Sequence, residues 1–122
     1  MIKAAIMGYG TIGSGVLEVL QINQSSIAKR VGDGIEVKYI LDLRDFPGEP
    51  IQDKIVHDYK TIAEDEEVRI VVETMGGVEP AYTFVKTMLE AGKHVTTSNK
   101  ALVAKHGSAL LRTAREKNVN FL

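Results

Sequence analysis

A glycine-rich hexapeptide between an apolar run and an amphipathic segment constrains this 122-residue chain more than any other feature. The apolar run covers Ile2–Met7 and has the length of a buried strand. Residues 11–24 show the period of an α-helix, with an inner face expected from Ile12, Val16, Val19 and Leu20. Between them, residues 8–13 read G-Y-G-T-I-G and match the pattern G-x-G-x-x-G. The sequence therefore predicts a strand that turns sharply into a helix.

Strand-like and helix-like segments continue to alternate along the chain. Strands are predicted at 35–41, 54–57, 69–74 and 94–97, and helices at 59–65, 80–91 and 107–117. Residues 25–34 are predicted to be a polar connection, and residues 119–122 the start of another strand. Parallel strands need right-handed crossover connections, so this order predicts a Rossmann-like, doubly wound α/β fold. Its sheet is expected to be mainly parallel, with helices on both faces, and residues 1–122 to form one domain.

The composition argues against several functional classes. Fifteen Lys and Arg stand against sixteen Asp and Glu, which gives no attraction to nucleic acid or to anionic membranes. The chain contains no cysteine, and its three histidines fall on separate segments without metal-ligand spacing, so we expect no metal site. His94 and His106 are each interpreted as structural, and His57 is assigned no role. No targeting signal or membrane-length apolar run is visible, which favours a cytoplasmic protein.

The glycines of the hexapeptide predict a phosphate-binding loop. Gly8 permits the tight turn, Gly10 lets the backbone approach a pyrophosphate, and Gly13 lets the helix pack close to the strand. The helix N-terminus would offer N–H groups and a positive dipole end to the phosphates. The Thr11 hydroxyl would either cap the helix or contact a phosphate oxygen. The alternative is a glycine-rich turn without a ligand.

Two residues after the second predicted strand give opposite predictions about the cofactor. Asp42 would accept hydrogen bonds from a ribose 2′-hydroxyl and favour NAD, whereas Arg44 would pair with a 2′-phosphate and favour NADP. The choice between NAD and NADP stays open at this point.

Two further segments follow predicted strands at the edge where open α/β sheets bind ligands. Residues 73–77 read E-T-M-G-G, and adjacent glycines permit a close backbone approach to a ribose or nicotinamide. Residues 97–100 read T-S-N-K, and Lys100 would bind an anion, polarise a carbonyl or, if buried, act as an acid or base. The alternatives are a plain turn and a solvated lysine at the start of a helix that Ser98 or Asn99 caps.

Four segments in a fixed order closely resemble the nucleotide-binding domain of homoserine dehydrogenases: 8–13, 41–45, 73–77 and 97–104. The resemblance covers essentially the whole chain, and the last two segments are its most specific part. It implies an NAD(P)-linked reaction that interconverts L-homoserine and L-aspartate 4-semialdehyde, on the way to threonine, isoleucine and methionine. The implied cofactor-binding residues are Gly8, Tyr9, Gly10, Thr11, Ile12, Gly13, Asp42, Arg44, Thr74, Met75, Gly76, Ser98 and Lys100. Lys100 matches a family lysine at the junction of cofactor and substrate, and is the implied catalytic residue.

The length departs from the family pattern, because members are several times longer. We therefore expect an N-terminal cofactor domain whose substrate and dimerisation domain is absent, from a parent that binds an amino-acid substrate and is a homo-oligomer. Such a fragment should bind cofactor weakly and be inactive alone. Two alternatives remain: the nucleotide domain of another dehydrogenase that acts on an amino-acid aldehyde or a sugar, and a non-catalytic NAD(P)-sensing module.

Overall fold

The computed structural model describes residues 1–23 and 34–122. Within them the strands are β1 (Ile2–Met7), β2 (Ile35–Leu41), β3 (Ile55–Val56), β4 (Val68–Glu73) and β5 (His94–Thr97). The α-helices are α1 (Thr11–Ile22), α2 (Tyr59–Glu64), α3 (Ala81–Glu90) and α4 (Lys100–Glu116), and a short 3-10 helix covers Pro50–Lys54. The predicted polar connection lies outside the described residues, except for Gly34.

The strands form one sheet in the order β3-β2-β1-β4-β5, and every pairing is parallel. A parallel bridge between Val95 and Phe121 continues the sheet beyond β5, where the start of another strand was predicted. The predicted Rossmann-like α/β fold is therefore confirmed. Because all strands run in one direction, their carboxyl ends lie along a single edge, which carries the loops described below.

Helices cover both faces of the sheet, as predicted. Successive residues of a strand point to opposite faces. Accordingly Ile6 packs with Leu17 of α1, while Ala5 and Met7 belong to the core that α2, α3 and α4 complete. Of the helices in the described ranges, none is long and apolar enough to cross a membrane.

The predicted inner face of α1 is wrong in part. Ile12 and Val19 are 55% and 57% exposed, while the buried positions are Gly13 and Leu17. The cause lies at Gly13, where an added Cβ would come within 2.1 Å of the Gly8 carbonyl oxygen. The close approach of this glycine to the loop fixes the rotation of the helix. Leu17, one turn later, then faces the sheet, and Ile12 and Val19 turn outward.

The last helix begins seven residues earlier than the predicted position 107. The side chain of Asn99 accepts a hydrogen bond from the backbone N–H of Leu102 at 3.1 Å and caps α4, whose first residue is Lys100. Leu102 is fully buried and extends the inner face that Leu110 and Ala114 continue. Gly107 lies inside the helix, and it is not the boundary that the sequence suggested.

Candidate functional site

A groove of about 540 Å³ opens at the carboxyl edge of the sheet. It lies where the loops after β1, β2 and β4 converge. Its lining residues are Gly8, Tyr9, Gly10, Leu41, Asp42, Leu43, Arg44, His57, Thr74, Met75, Pro80 and Phe84. The groove thus brings together residues of three of the four segments that the sequence singled out.

The glycines of the first loop have distinct geometries. Gly8 adopts a φ of +101°, a conformation that other residues rarely take, and so permits the sharp turn after β1. Gly13 is in contact with the Gly8 carbonyl, as the predicted close packing of helix on strand requires. Apart from its chain neighbours, Gly10 has no atom of the described residues within 4 Å of its would-be Cβ. The fold therefore demands glycine at 8 and 13, whereas the part of the protein that the structure describes leaves position 10 open.

The remaining loop residues divide between the groove and the surface. Tyr9 lines the groove, and its backbone N–H donates to the Asp42 carboxylate at 3.0 Å. Thr11 is the first residue of α1, and within the described residues no side chain caps this helix. The capping role considered for Thr11 is therefore not seen. Thr11 and Ile12 are exposed and lie outside the groove lining.

Asp42 and Arg44, which gave opposite cofactor predictions, bind each other. The Arg44 Nε and Nη2 atoms donate to the two Asp42 carboxylate oxygens, each at 3.0 Å. Nη2 also donates to the Tyr9 carbonyl at 3.0 Å, and the guanidinium lies over the Phe46 ring. The hydrogen bonds from Arg44, together with the backbone N–H of Tyr9, lower the pKa of Asp42 to about 2. At neutral pH this part of the groove holds a carboxylate and a guanidinium in one ion pair.

His57 is a groove residue that the sequence analysis missed. Its Nδ1 lies 2.7 Å from the carbonyl oxygen of Asp42, and its Nε2 lies 2.9 Å from the Asp45 carboxylate. These contacts raise the pKa of His57, and the Asp42 carbonyl is the main cause. No local pattern marks the residue, because the pairing of β3 with β2 is what brings it beside Asp42, fifteen positions earlier.

The loop after β4 closes the other wall of the groove. The Thr74 hydroxyl donates to the carbonyl oxygens of Met7 at 3.1 Å and Gly8 at 2.9 Å, and so ties this loop to the glycine loop. Met75 lines the groove, and its N–H donates to the Glu73 carboxylate at 2.8 Å. Gly76 and Gly77 have φ values of +78° and +73°, which explains the adjacent glycines.

A buried carboxylate joins the third and fourth sequence segments. Glu73 is fully buried, and it accepts hydrogen bonds from the Thr97 hydroxyl and from the Met75 N–H. The Asn99 amide lies 3.4 Å from the same carboxylate and donates to the Gly77 carbonyl at 2.6 Å. The helix cap considered for Asn99 is confirmed. The contacts of Glu73 with Thr97 and Asn99 were not predicted, since these residues lie 24 and 26 positions away.

Ser98 and Lys100 lie outside this groove, beside a second depression of about 460 Å³. Thr97, Asn99, Val103 and Ala104 line the rest of it. Both Ser98 and Lys100 are exposed, so the burial considered for Lys100 is not present in the described part of the chain. Among the described residues no cluster of His, Cys, Asp and Glu has the geometry of a metal site.

The fold, the glycine loop and the groove together define a dinucleotide-binding α/β domain. Comparison with known families makes this specific. Residues 8–122 match the family model described as the NAD-binding domain of homoserine dehydrogenase. The chain belongs to this family and carries its NAD(P)-binding domain.

Individual relatives agree with that assignment. A homoserine dehydrogenase of Pseudomonas aeruginosa is 42% identical over 119 residues, and one of Helicobacter pylori is 38% identical over 122. The crystal structure of a homoserine dehydrogenase from Thiobacillus denitrificans superposes with a TM-score of 0.91 at 35% identity, covering 98% of this chain and 28% of that one. The Pseudomonas alignment covers 97% of this chain. It spans only 27% of the relative's length.

Proposed function

We propose that the groove binds NADP(H) or NAD(H), and that the chain is the N-terminal cofactor-binding part of a homoserine dehydrogenase. The observation that carries the proposal is the contrast between Gly13, which the fold requires, and Gly10, which no contact of the described residues requires. A ligand whose phosphates approach the backbone at the start of α1 would explain the glycine at position 10. The 119-residue alignment with the Pseudomonas enzyme supports the family part of the proposal.

Each wall of the groove has a role in this proposal. The Gly8–Gly10 backbone would hold the pyrophosphate, and Asp42 and Arg44 would lie at the adenosine ribose. Thr74, Met75 and Gly76 would line the nicotinamide side, with Ser98 touching the cofactor. The bound cofactor would supply a hydride to the carbonyl carbon of an amino-acid aldehyde, or accept it from the alcohol.

Lys100 is the residue of this chain proposed to meet the substrate. Its position at the start of α4, beside the second depression, gives an ammonium group access to a ligand there. As a donor, Lys100 would hydrogen-bond to the aldehyde oxygen and stabilise its growing negative charge. The residues that the structure describes form no second wall at this depression, which is open to solvent, so we expect the chain to bind cofactor without turning over homoserine. A cytoplasmic location and a homo-oligomeric, longer enzyme complete the proposal.

The cofactor part is tested by titrating NADPH and NADH separately into the chain by calorimetry. Gly10→Ala places a methyl group where the pyrophosphate would lie, and should raise Kd at least about tenfold. Gly15→Ala, inside α1, also meets no atom of the described residues and should leave Kd unchanged. Tighter NADPH binding would assign selection to Arg44, and tighter NADH binding would assign it to Asp42. Equal cofactor Kd values for Gly10→Ala and the unchanged chain would refute the proposed phosphate site.

A further inference from the structure

The hydrogen-bond partners of His57 determine its protonation state. The Asp42 carbonyl oxygen at Nδ1 is an acceptor only. The Asp45 carboxylate at Nε2 is also an acceptor only when ionised, and the Gln52 amide, which donates to it at 3.0 Å, lowers its pKa. A neutral imidazole has one N–H and can satisfy one of the two oxygens. Both contacts are hydrogen bonds only if the ring is an imidazolium.

The charges around His57 show what this protonation does to the groove. Asp42 and Asp45 carry the negative charges that face the ring, and Arg44 carries the nearby positive charge on the same groove wall. With a protonated His57 the positive and negative charges of this cluster balance. With a neutral His57 the cluster has an excess negative charge, which would repel a phosphate.

Arg44 keeps capacity for an anion while it holds Asp42. The guanidinium has five N–H donors, and three of them are used by Asp42 and the Tyr9 carbonyl. A phosphate could therefore bind to Arg44 without breaking the ion pair, provided that the field of the two carboxylates is offset. His57 is placed to offset this field, because its Nε2 contacts the Asp45 carboxylate and its Nδ1 contacts the backbone carbonyl of Asp42.

We propose that His57 is a cofactor-specificity residue, whose imidazolium supplies a second positive charge beside Arg44 and favours the 2′-phosphorylated cofactor over the unphosphorylated one. The inference rests on the proposed function, since it takes the adenosine end of a dinucleotide to lie at Asp42 and Arg44. The preference for NADPH is full where His57 is charged, and falls as pH rises through the raised pKa of the ring.

The test measures Kd for NADPH and NADH at about pH 6 and about pH 8.5 in the unchanged chain and three variants. The NADPH preference is the ratio of the NADH Kd to the NADPH Kd. From the lower to the higher pH this ratio should fall about fivefold more in the unchanged chain than in His57→Gln, which has no titrating ring. Ionisation of the 2′-phosphate itself occurs with every variant and cancels in this comparison. His57→Lys should keep the preference at both pH values. His106→Gln, whose ring stacks on Tyr82 between α3 and α4, is the control and should behave as the unchanged chain.

Linkage gives a second readout that needs no variant. If protonation of His57 favours NADPH fivefold, NADPH must raise the pKa of His57 by about 0.7, and NADH must leave it nearly unchanged. The imidazole resonances report this pKa directly in an NMR titration. Identical pH behaviour of His57→Gln and the unchanged chain, with both cofactors bound, would refute the role of His57 and leave the proposed function intact. If neither cofactor bound, both the role of His57 and the proposed function would be refuted.

Discussion

The inner and outer parts of the groove are held together by different kinds of contact. The inner part, defined by Gly8, Gly13, Thr74, Glu73 and Asn99, is tied by hydrogen bonds and close packing to three strands. The outer part, defined by Gly10, Asp42, Arg44 and His57, is a mostly exposed cluster of charges beside an open glycine. Both parts line or support the same groove.

This difference separates the residues that the fold requires from those whose arrangement suits a ligand. The inner residues make their hydrogen bonds and packing contacts with other residues of the protein. Their replacement should therefore lower the free energy of unfolding whether or not a cofactor is present. Outer residues contribute exposed ion pairs, which add little to stability. Their arrangement should be visible mainly in binding measurements, and the following variants separate the two effects.

The largest effect is expected for Gly13→Ala in the inner part. Its Cβ would lie 2.1 Å from the Gly8 carbonyl oxygen and 3.1 Å from the Thr74 hydroxyl, so helix α1 must move away from the loop. Overpacking against backbone of this kind should cost about 3 kcal/mol of the free energy of unfolding. Urea denaturation followed by circular dichroism measures it. A loss below 0.5 kcal/mol, roughly the level of surface substitutions, would show that the helix is free to shift.

Glu73→Gln should have the next largest effect. The glutamine keeps the shape but has one acceptor oxygen in place of two, so it cannot serve both the Thr97 hydroxyl and the donors from Met75 and Asn99. A buried donor left without a partner costs about 2 kcal/mol. The control is Glu90→Gln at the exposed end of α3. Equal stability of the two variants would contradict the inner role of Glu73.

In both parts the sequence predicted the backbone better than the side-chain contacts, and the reason is physical. The strand positions, the parallel sheet and the glycine turn follow from local patterns, and the structure confirms them, with the ends of β3 and β4 shifted by one residue. The contacts of Glu73 and His57 arise from pairing between strands distant in sequence, which no local pattern records. The Asp42–Arg44 pair was missed for another reason: each residue was assigned to a ligand, and neither was considered as the other's partner.

A smaller effect is expected from Arg44→Ala in the outer part, and it should depend on pH. Arg44 lowers the pKa of Asp42 to about 2, so its stabilising effect is present above the ordinary carboxyl pKa and disappears as pH falls toward 2. Because the Arg44 side chain is 61% exposed, solvent screening keeps the loss of stability at neutral pH small. Thermal or urea unfolding from pH 7 to pH 2 checks this, with Arg112→Ala as the exposed control. A stability difference that persists unchanged at pH 2 would exclude the ion pair as its cause.

The smallest effect belongs to Gly15→Ala, which tests whether a glycine near the loop can be neutral for both fold and ligand. Gly15 lies inside α1, and within the described ranges its would-be Cβ meets no atom outside the helix's own backbone closer than 4 Å. Alanine restricts the unfolded chain and suits a helix interior better, so the free energy of unfolding should rise by about 0.5–1 kcal/mol. Cofactor affinity should stay unchanged, in contrast to Gly10→Ala. If Gly15→Ala instead weakened cofactor binding, a loss of affinity in Gly10→Ala could no longer be assigned to a ligand that contacts only the glycine loop. The outer part of the groove would then have to include the first turns of α1.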